Sequence, residues 1–215
     1  MSRYSPITPA LLAGKLAALL LERHSDRHPL RVALDAPDFV ELAVLIDSIG
    51  AGIRAAGRPF AVLAAGGFYR DASLRLEYGK TDVQSFYAGW LDSTALQREV
   101  LLPLADNRSY LPELRDPLTN RSSRSAPVAV PSSAVLLVTG ALLLGAGPDL
   151  DFDVLIHASL SRAARRRLVP ADLEWTLPAY DRYDLDVDPA ARADAVFRYD
   201  DPDHPALLIR ATRRS

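Results

Sequence analysis

The chain has 215 residues, 49% hydrophobic and 24% charged, which is enough to bury a sizeable core in one unit. Its formal net charge of -2 lacks the basic excess that a nucleic-acid-binding protein needs. The sequence has no cysteine, so disulfide frameworks, thiolate metal sites and cysteine nucleophiles are excluded, in keeping with a reducing compartment.

Thr8 followed by Pro9 predicts a helix start, with Thr8 as the cap and Pro9 in the first turn. The helix is expected to reach about residue 24 and to bury Leu12, Leu16, Leu19 and Leu20. Its leucine-rich stretch does not read as a secretory signal. Lys15 interrupts it, and Glu22, Arg23 and His24 stand where a small-residue cleavage site is needed. The longest apolar runs, 134–138 and 141–144, are split by Thr139 and Gly140 and are too short to span a bilayer. The expectation is a cytoplasmic protein that binds neither membrane nor nucleic acid.

Residues 31–35 read as a short strand followed by a turn at Ala36 and Pro37. A helix is predicted over 39–56, capped by Asp38, with Val40, Val44, Ile46 and Ile53 among its apolar positions. Gly57-Arg58-Pro59 stops it. Residues 60–64 form a second strand, giving a β-α-β unit whose two strands are expected to pair in parallel. From 68 to 133 the pattern is less regular, with a helix over 93–104 closed by Pro103 and a surface loop or hairpin over 116–133, rich in Ser, Pro and Arg. Strands at 134–138 and 152–157 follow, then a basic helix over 161–168. Two late strands, 195–199 and 206–210, flank the turn at 200–205. Strands alternating with helices predict a three-layer α/β fold with a mostly parallel sheet, in a single domain over 1–215 with 1–30 as a helical extension.

Several short motifs, in this order, carry a family resemblance. They are Val32-Ala-Leu-Asp35 before a turn and helix, Gly57-Arg-Pro59, Gly67-Phe-Tyr-Arg70, and Tyr78-Gly-Lys-Thr-Asp-Val-Gln-Ser-Phe-Tyr87. Leu96-Gln-Arg-Glu-Val-Leu-Leu-Pro-Leu104, Ala134-Val-Leu-Leu-Val-Thr-Gly140, Asp188-Pro-Ala-Ala-Arg-Ala-Asp194 and Asp201-Pro202 continue the series. Together they resemble the uridine kinase and phosphoribulokinase-like P-loop kinases, above all the uridine kinase-like proteins of high-GC bacteria. The resemblance covers about residues 31–209. It implies a P-loop NTPase-like fold, nucleoside phosphotransfer from ATP with Mg, and a homo-oligomer.

The chain departs from that family where its chemistry resides. A P-loop reads G-x-x-x-x-G-K-[ST], its glycines letting backbone N–H groups surround phosphates while Lys adds charge and Ser/Thr helps hold magnesium. By register, Ala36 and Glu41 stand at the framing glycines, Leu42 at the lysine and Ala43 at the hydroxyl residue, and Pro37 and Asp38 lie within the loop. Pro37 removes a backbone donor, and Glu41 puts negative charge where phosphate would sit. Neither Gly79-Lys80-Thr81, with Leu74 at the required glycine, nor Gly14-Lys15 restores the motif. The aspartate that the resemblance places after the second strand is Gly66 here, and the acid at the end of the central strand is Thr139. The expectation is a degenerate Walker A and a pseudokinase, with no catalytic residue assigned.

The resemblance further implies a nucleoside-side cleft at Phe68, Tyr69, Arg70, Tyr78, Phe86 and Tyr87, against the plainer reading that these aromatics pack the sheet edge. Arg162, Arg165 and Arg166, with Arg167, resemble a lid helix closing over ATP, or else form a solvated helix face. The four histidines show no metal spacing, and His157, at the end of a strand, reads as a satisfied, partly buried histidine rather than a ligand. Asp181, Asp184, Asp186 and Asp188 lack an EF-hand pattern and read as a solvated turn, so no metal site is expected. Three functions stay open: a degenerate protein binding a nucleoside-like ligand or a protein partner, an active kinase using Lys80, Arg70 and the lid arginines, and a subunit paired with an intact kinase.

Overall fold

The computed structural model describes residues 4–145 and 150–210. The first three and last five positions of the predicted unit lie outside the described residues, as do 146–149. After the short strand β1 (Ser5–Pro6), helix α1 (Pro9–Arg23) starts at Thr8, whose Oγ1 accepts Leu11 N–H at 3.3 Å. Its predicted leucines are buried. Strand β2 (Leu30–Asp35) is buried at every position.

Helix α2 (Ala43–Ala55) begins four residues later than the sequence predicts. Residues 37–42 form a turn, closed by the Val40 N–H on the Pro37 carbonyl at 3.0 Å. Asp38 does not cap the helix. The cap position is Leu42, which offers no side-chain acceptor, and the Glu41 carboxylate just before it accepts Ala43 N–H at 3.0 Å, while Phe39 packs edge-on against Tyr180 with ring centres 5.7 Å apart. Gly57 then turns the chain at a left-handed φ of 76°, which favours glycine, into β3 (Phe60–Ala64).

Strands β2 and β3 do not pair with each other. Strand β4 (Val135–Gly140) lies between them, in parallel register with both. A right-handed crossover fixes the relative direction of two strands but not their adjacency. The less buried β3 takes the sheet edge, and the more apolar β4 lies inside it.

Between β3 and β4 come the short helices α3 (Ala72–Arg75) and α4 (Val83–Gly89). The segment Ser93–Ala105 is helical throughout, as α5 (Ser93–Leu96), a π turn (Gln97–Leu101) and α6 (Leu102–Ala105). Asp92 caps it. Pro103 sits inside its last turn rather than closing it. A proline cannot donate to the carbonyl four residues back, and that Glu99 carbonyl instead accepts Leu111 N–H at 3.0 Å. The 116–133 segment is pinned by single bridges, Tyr110 to Val128 and Arg115 to Ser122.

Strand β5 (Val154–Ser159) leads into α7 (Arg162–Leu168), capped by Ser161, and then α8 (Leu177–Asp186) and α9 (Pro189–Arg192). The acidic run expected as a solvated turn lies largely on α8, where Asp181 and Asp184 meet Arg165 and Asp186 meets Arg182. Strands β6 (Ala195–Arg198) and β7 (Ala206–Ile209) close the described chain.

The sheet order is β1-β7-β6-β5-β2-β4-β3, parallel from β6 to β3 and antiparallel at β7 and β1. One apolar cluster joins α1 and α2 to one face of the sheet, and a second joins α4–α6 and α8 to the other. The three-layer α/β fold with a mostly parallel sheet is as predicted.

At the start of β2, Arg31 grips Asp153 through Nε at 3.0 Å and Nη2 at 2.7 Å, and gives Nη1 to the Leu101 carbonyl. This ties β2, the approach to β5 and the π turn together. Removing one partner of such a buried pair strands the other charge. Asp153→Ala is therefore expected to lower unfolding free energy by about 3 kcal/mol in a urea titration, while an exposed change such as Asp106→Ala leaves it within about 0.5 kcal/mol.

Candidate functional site

The carboxyl end of β2 lies where successive crossovers leave in opposite directions, toward β3 on one side and β5 on the other. Open α/β sheets bind ligands at such a point. Here it is filled from within. Asp35, only 1% exposed, accepts a hydrogen bond on Oδ1 from Leu143 N–H at 2.9 Å. Its Oδ2 meets His157 Nδ1 at 2.7 Å and accepts from Tyr183 Oη at 3.1 Å. The Tyr183 oxygen in turn accepts Leu144 N–H at 2.8 Å. Burial, reinforced by the Asp35 charge, lifts the Tyr183 phenol far above its ordinary range. His157 is thus satisfied as expected, although it is buried rather than partly buried and lies two residues inside its strand rather than at its end.

The space above this network, lined by Asp35, Pro37, His157, Arg165 and Tyr183, measures about 10 Å3, room for about one water. Two amides of the adjoining loop are already engaged within the chain. Ala36 N–H goes to the Gly140 carbonyl at 3.0 Å, and Ala43 N–H goes to Glu41. Leu42, at the register position of the lysine, is buried in the core with Leu45 and Ile49. Val44 does not join that seal, being 79% exposed.

Beside the loop, Asp38 accepts a hydrogen bond from Tyr69 Oη at 2.9 Å. Asp38 keeps an open side to solvent but is crowded by protein on the others. That crowding raises its carboxyl above the usual range, against the opposing hydrogen bond from Tyr69. The Tyr69 phenol is pushed well up, first by burial and then by the Asp38 charge.

Of the six residues assigned to a nucleoside-side cleft, the structure brings some together and not others. Phe86 and Tyr69 join one aromatic cluster, Tyr87 is buried beside it, and Phe68 is fully buried in the same core. Arg70 is exposed and Tyr78 is 75% exposed, so both stand outside. The cation of the cluster is Arg75, 4.8 Å from the Trp90 ring and 5.7 Å from that of Tyr69. Trp90, Trp175, Tyr180 and Arg75 were missed. Trp90 lies four residues after Phe86, a helical spacing that the sequence offered as a signal. Trp175 and Tyr180 reach Phe86 from α8 and the turn before it, which no local pattern shows. The space among Tyr69, Phe86, Trp90 and Leu142 is again about 10 Å3.

Gly66 leaves room for a side chain, with the nearest atom to a built Cβ being a Tyr69 ring carbon at 3.7 Å. Thr139 lies one residue before the end of β4, between Leu34 and Ala64. On α7 the three lid arginines part company. Arg165 is buried and bonded to Asp181 at 3.0 Å and Asp184 at 2.6 Å, Arg162 reaches Asp181 from the surface, and Arg166 is exposed. Among the described residues no group of three or more His, Asp or Glu side chains is placed to hold a metal ion. No helix among them is long and apolar enough to cross a membrane.

No protein-family model and no curated protein matches the chain. Solved structures do. A possible uridine kinase from Bacillus stearothermophilus superposes with a TM-score of 0.68 at 17% identity, covering 86% of this chain and 96% of that one. A candidate fructose transport system kinase from Silicibacter sp. TM1040 gives a TM-score of 0.55 at 22% identity, covering 84% and 92%. At these identities the likeness shows the fold: this chain has the architecture of the uridine kinase-like P-loop kinases.

The Asp35 network makes a direct demand on stability. Asp35→Ala leaves His157, Tyr183 and the Leu143 N–H without their shared acceptor, and is expected to cost about 3 kcal/mol, read as a lowered urea midpoint.

Proposed function

We propose that this chain uses the uridine kinase-like fold without ATP phosphotransfer, as a pseudokinase that acts by binding a nucleoside-like small molecule or a protein partner. The observation that carries the reading is Glu41. Its carboxylate takes the first N–H of α2, the donor that a P-loop offers to phosphate. Leu42 supports it by turning into the core where the lysine would extend, and the gap over Asp35 is too small for a phosphate group. Phosphoryl transfer rests on positioning and electrostatic stabilisation, and one lost donor of an oxyanion hole already costs about 3 kcal/mol of barrier. Here the lysine, the hydroxyl and the acid at Gly66 are absent together.

A relocated phosphate site would need Arg70, Lys80 and Arg165 at one point. Arg70 and Lys80 are exposed, whereas Arg165 is buried against Asp181 and Asp184. The aromatic cluster is the remaining place for a ligand, and because it holds only about 10 Å3 a base enters it only as the rings part. Both tryptophans of the sequence, Trp90 and Trp175, lie in it with ring centres 5.8 Å apart. Base stacking on such rings is worth about 1–3 kcal/mol per base.

Calorimetric titration with Mg-ATP is expected to give no heat up to about millimolar nucleotide, and no ADP is released when uridine is added. Micromolar binding of Mg-ATP, or turnover, overturns the proposal. A nucleoside entering the cluster quenches tryptophan fluorescence. Silence there as well directs the binding role to a protein partner.

A further inference from the structure

The widest opening among the cavities described lies beside the sheet ends, between two helices. A groove of about 520 Å3 runs between α7 and α8, within the size range of small-molecule sites. Arg165 lies between this groove and the closed gap over Asp35, lining both. The groove therefore adjoins, across the Arg165 side chain, the position where a P-loop would hold phosphate.

Its walls combine two chemistries. The apolar part comes from Leu177, Pro178 and Leu185, the last of which is 77% exposed, although Tyr180 and Tyr183 of the same helix are buried. Among the described residues this large aliphatic side chain is left open on an otherwise anchored helix. The charged part is cationic, with Arg162, Arg165, Arg166 and Arg182 facing only Glu174 and Asp181 among the lining residues.

Those arginines differ in how far they are already satisfied. Asp181 bonds to Arg165 and pairs with Arg162, and Arg182 is engaged by Asp186 and by the ring of Tyr87. Arg166 makes no ion pair or hydrogen bond with the described residues. Arg165, with a side chain only 6% exposed, gives its Nη2 to two carboxylates, yet its Nε–H is buried with no acceptor. Buried donors without partners are rare in folded proteins and point to a missing water or ligand group.

We propose that the groove between α7 and α8 binds a small organic anion, a carboxylate, sulfonate or phosphate head on an apolar body. The body lies on Leu177, Pro178 and Leu185, and the head meets the guanidinium groups of Arg166 and Arg162. Arginine suits this task because its planar fork presents paired donors and is weakly hydrated, so it can bind an anion beside apolar surface. The assignment is independent of the state of the phosphate loop.

The test uses two fluorescent probes with the same aromatic body, anilinonaphthalene sulfonate and the uncharged phenylnaphthylamine. The sulfonate is expected to bind at one saturable site, about tenfold tighter than the neutral probe, with affinity falling as salt is raised. The double variant Arg162→Ala/Arg166→Ala weakens the sulfonate at least about fivefold and leaves the neutral probe unchanged. Both side chains are exposed, and an unchanged melting temperature shows that the fold is intact. Arg98→Ala, on an exposed arginine elsewhere, has no effect. Equal affinity for the two probes, or an Arg98→Ala effect as large as that of the double variant, overturns the proposal.

Discussion

A carboxylate with 1% of its surface exposed at the centre of a sheet must be answered by hydrogen bonds, and much of this molecule is arranged around answering Asp35. The answers come from β5 through His157, from α8 through Tyr183 and from the segment after β4 through the Leu143 amide. Each contact fixes an element that the hydrophobic pattern leaves free to slide. Helix α8 is the clearest case. Its buried face is only Ala179, Tyr180 and Tyr183, so its position is set by polar as well as apolar contacts. Arg165 extends the same logic outward, drawing α7 onto α8 through Asp181 and Asp184.

The consequence for function is spatial. In an open α/β sheet the carboxyl ends of the central strands form the natural ligand crevice. Here that crevice is occupied by the side chains that neutralise Asp35 and by a loop whose amides bond to Gly140 and Glu41. The aromatic cluster beside it is equally tight, with Phe86 in contact with Trp90, Trp175 and Tyr180 at centre distances of 5.2 to 5.7 Å. Openness has moved to the groove behind Arg165.

The fold was legible where local pattern decides it. Thr8-Pro9, the unbroken apolar run before Asp35 and the stop at Gly57 each act within a few residues, and their elements stand close to where they were expected. The failures have a common origin in contacts distant along the chain. Nothing near Phe39 indicates that Tyr180 will hold it out of a helix, and nothing near Asp181 indicates that Arg165 will turn an acidic run into a helix face. The insertion of β4 between β2 and β3 is likewise a question of which strand is buried deepest. The Asp35 partners lie 108, 122 and 148 residues away, beyond any spacing rule. The departures from a P-loop pattern at Ala36, Glu41, Leu42 and Ala43, by contrast, could be read from position alone, because a motif of that kind is contiguous.

Glu41 has one more implication, for what an anion would have to displace at this loop. Its carboxylate is tethered two residues from the amide it occupies, so it competes with any incoming anion as an intramolecular ligand. A group on so short a tether has an effective concentration well above about millimolar, the level that a free nucleotide would have to outcompete. A lysine placed at position 42 would therefore leave the Ala43 amide occupied. The tethered carboxylate must go first, which makes position 41, rather than position 42, the one that governs whether this loop can accept an anion.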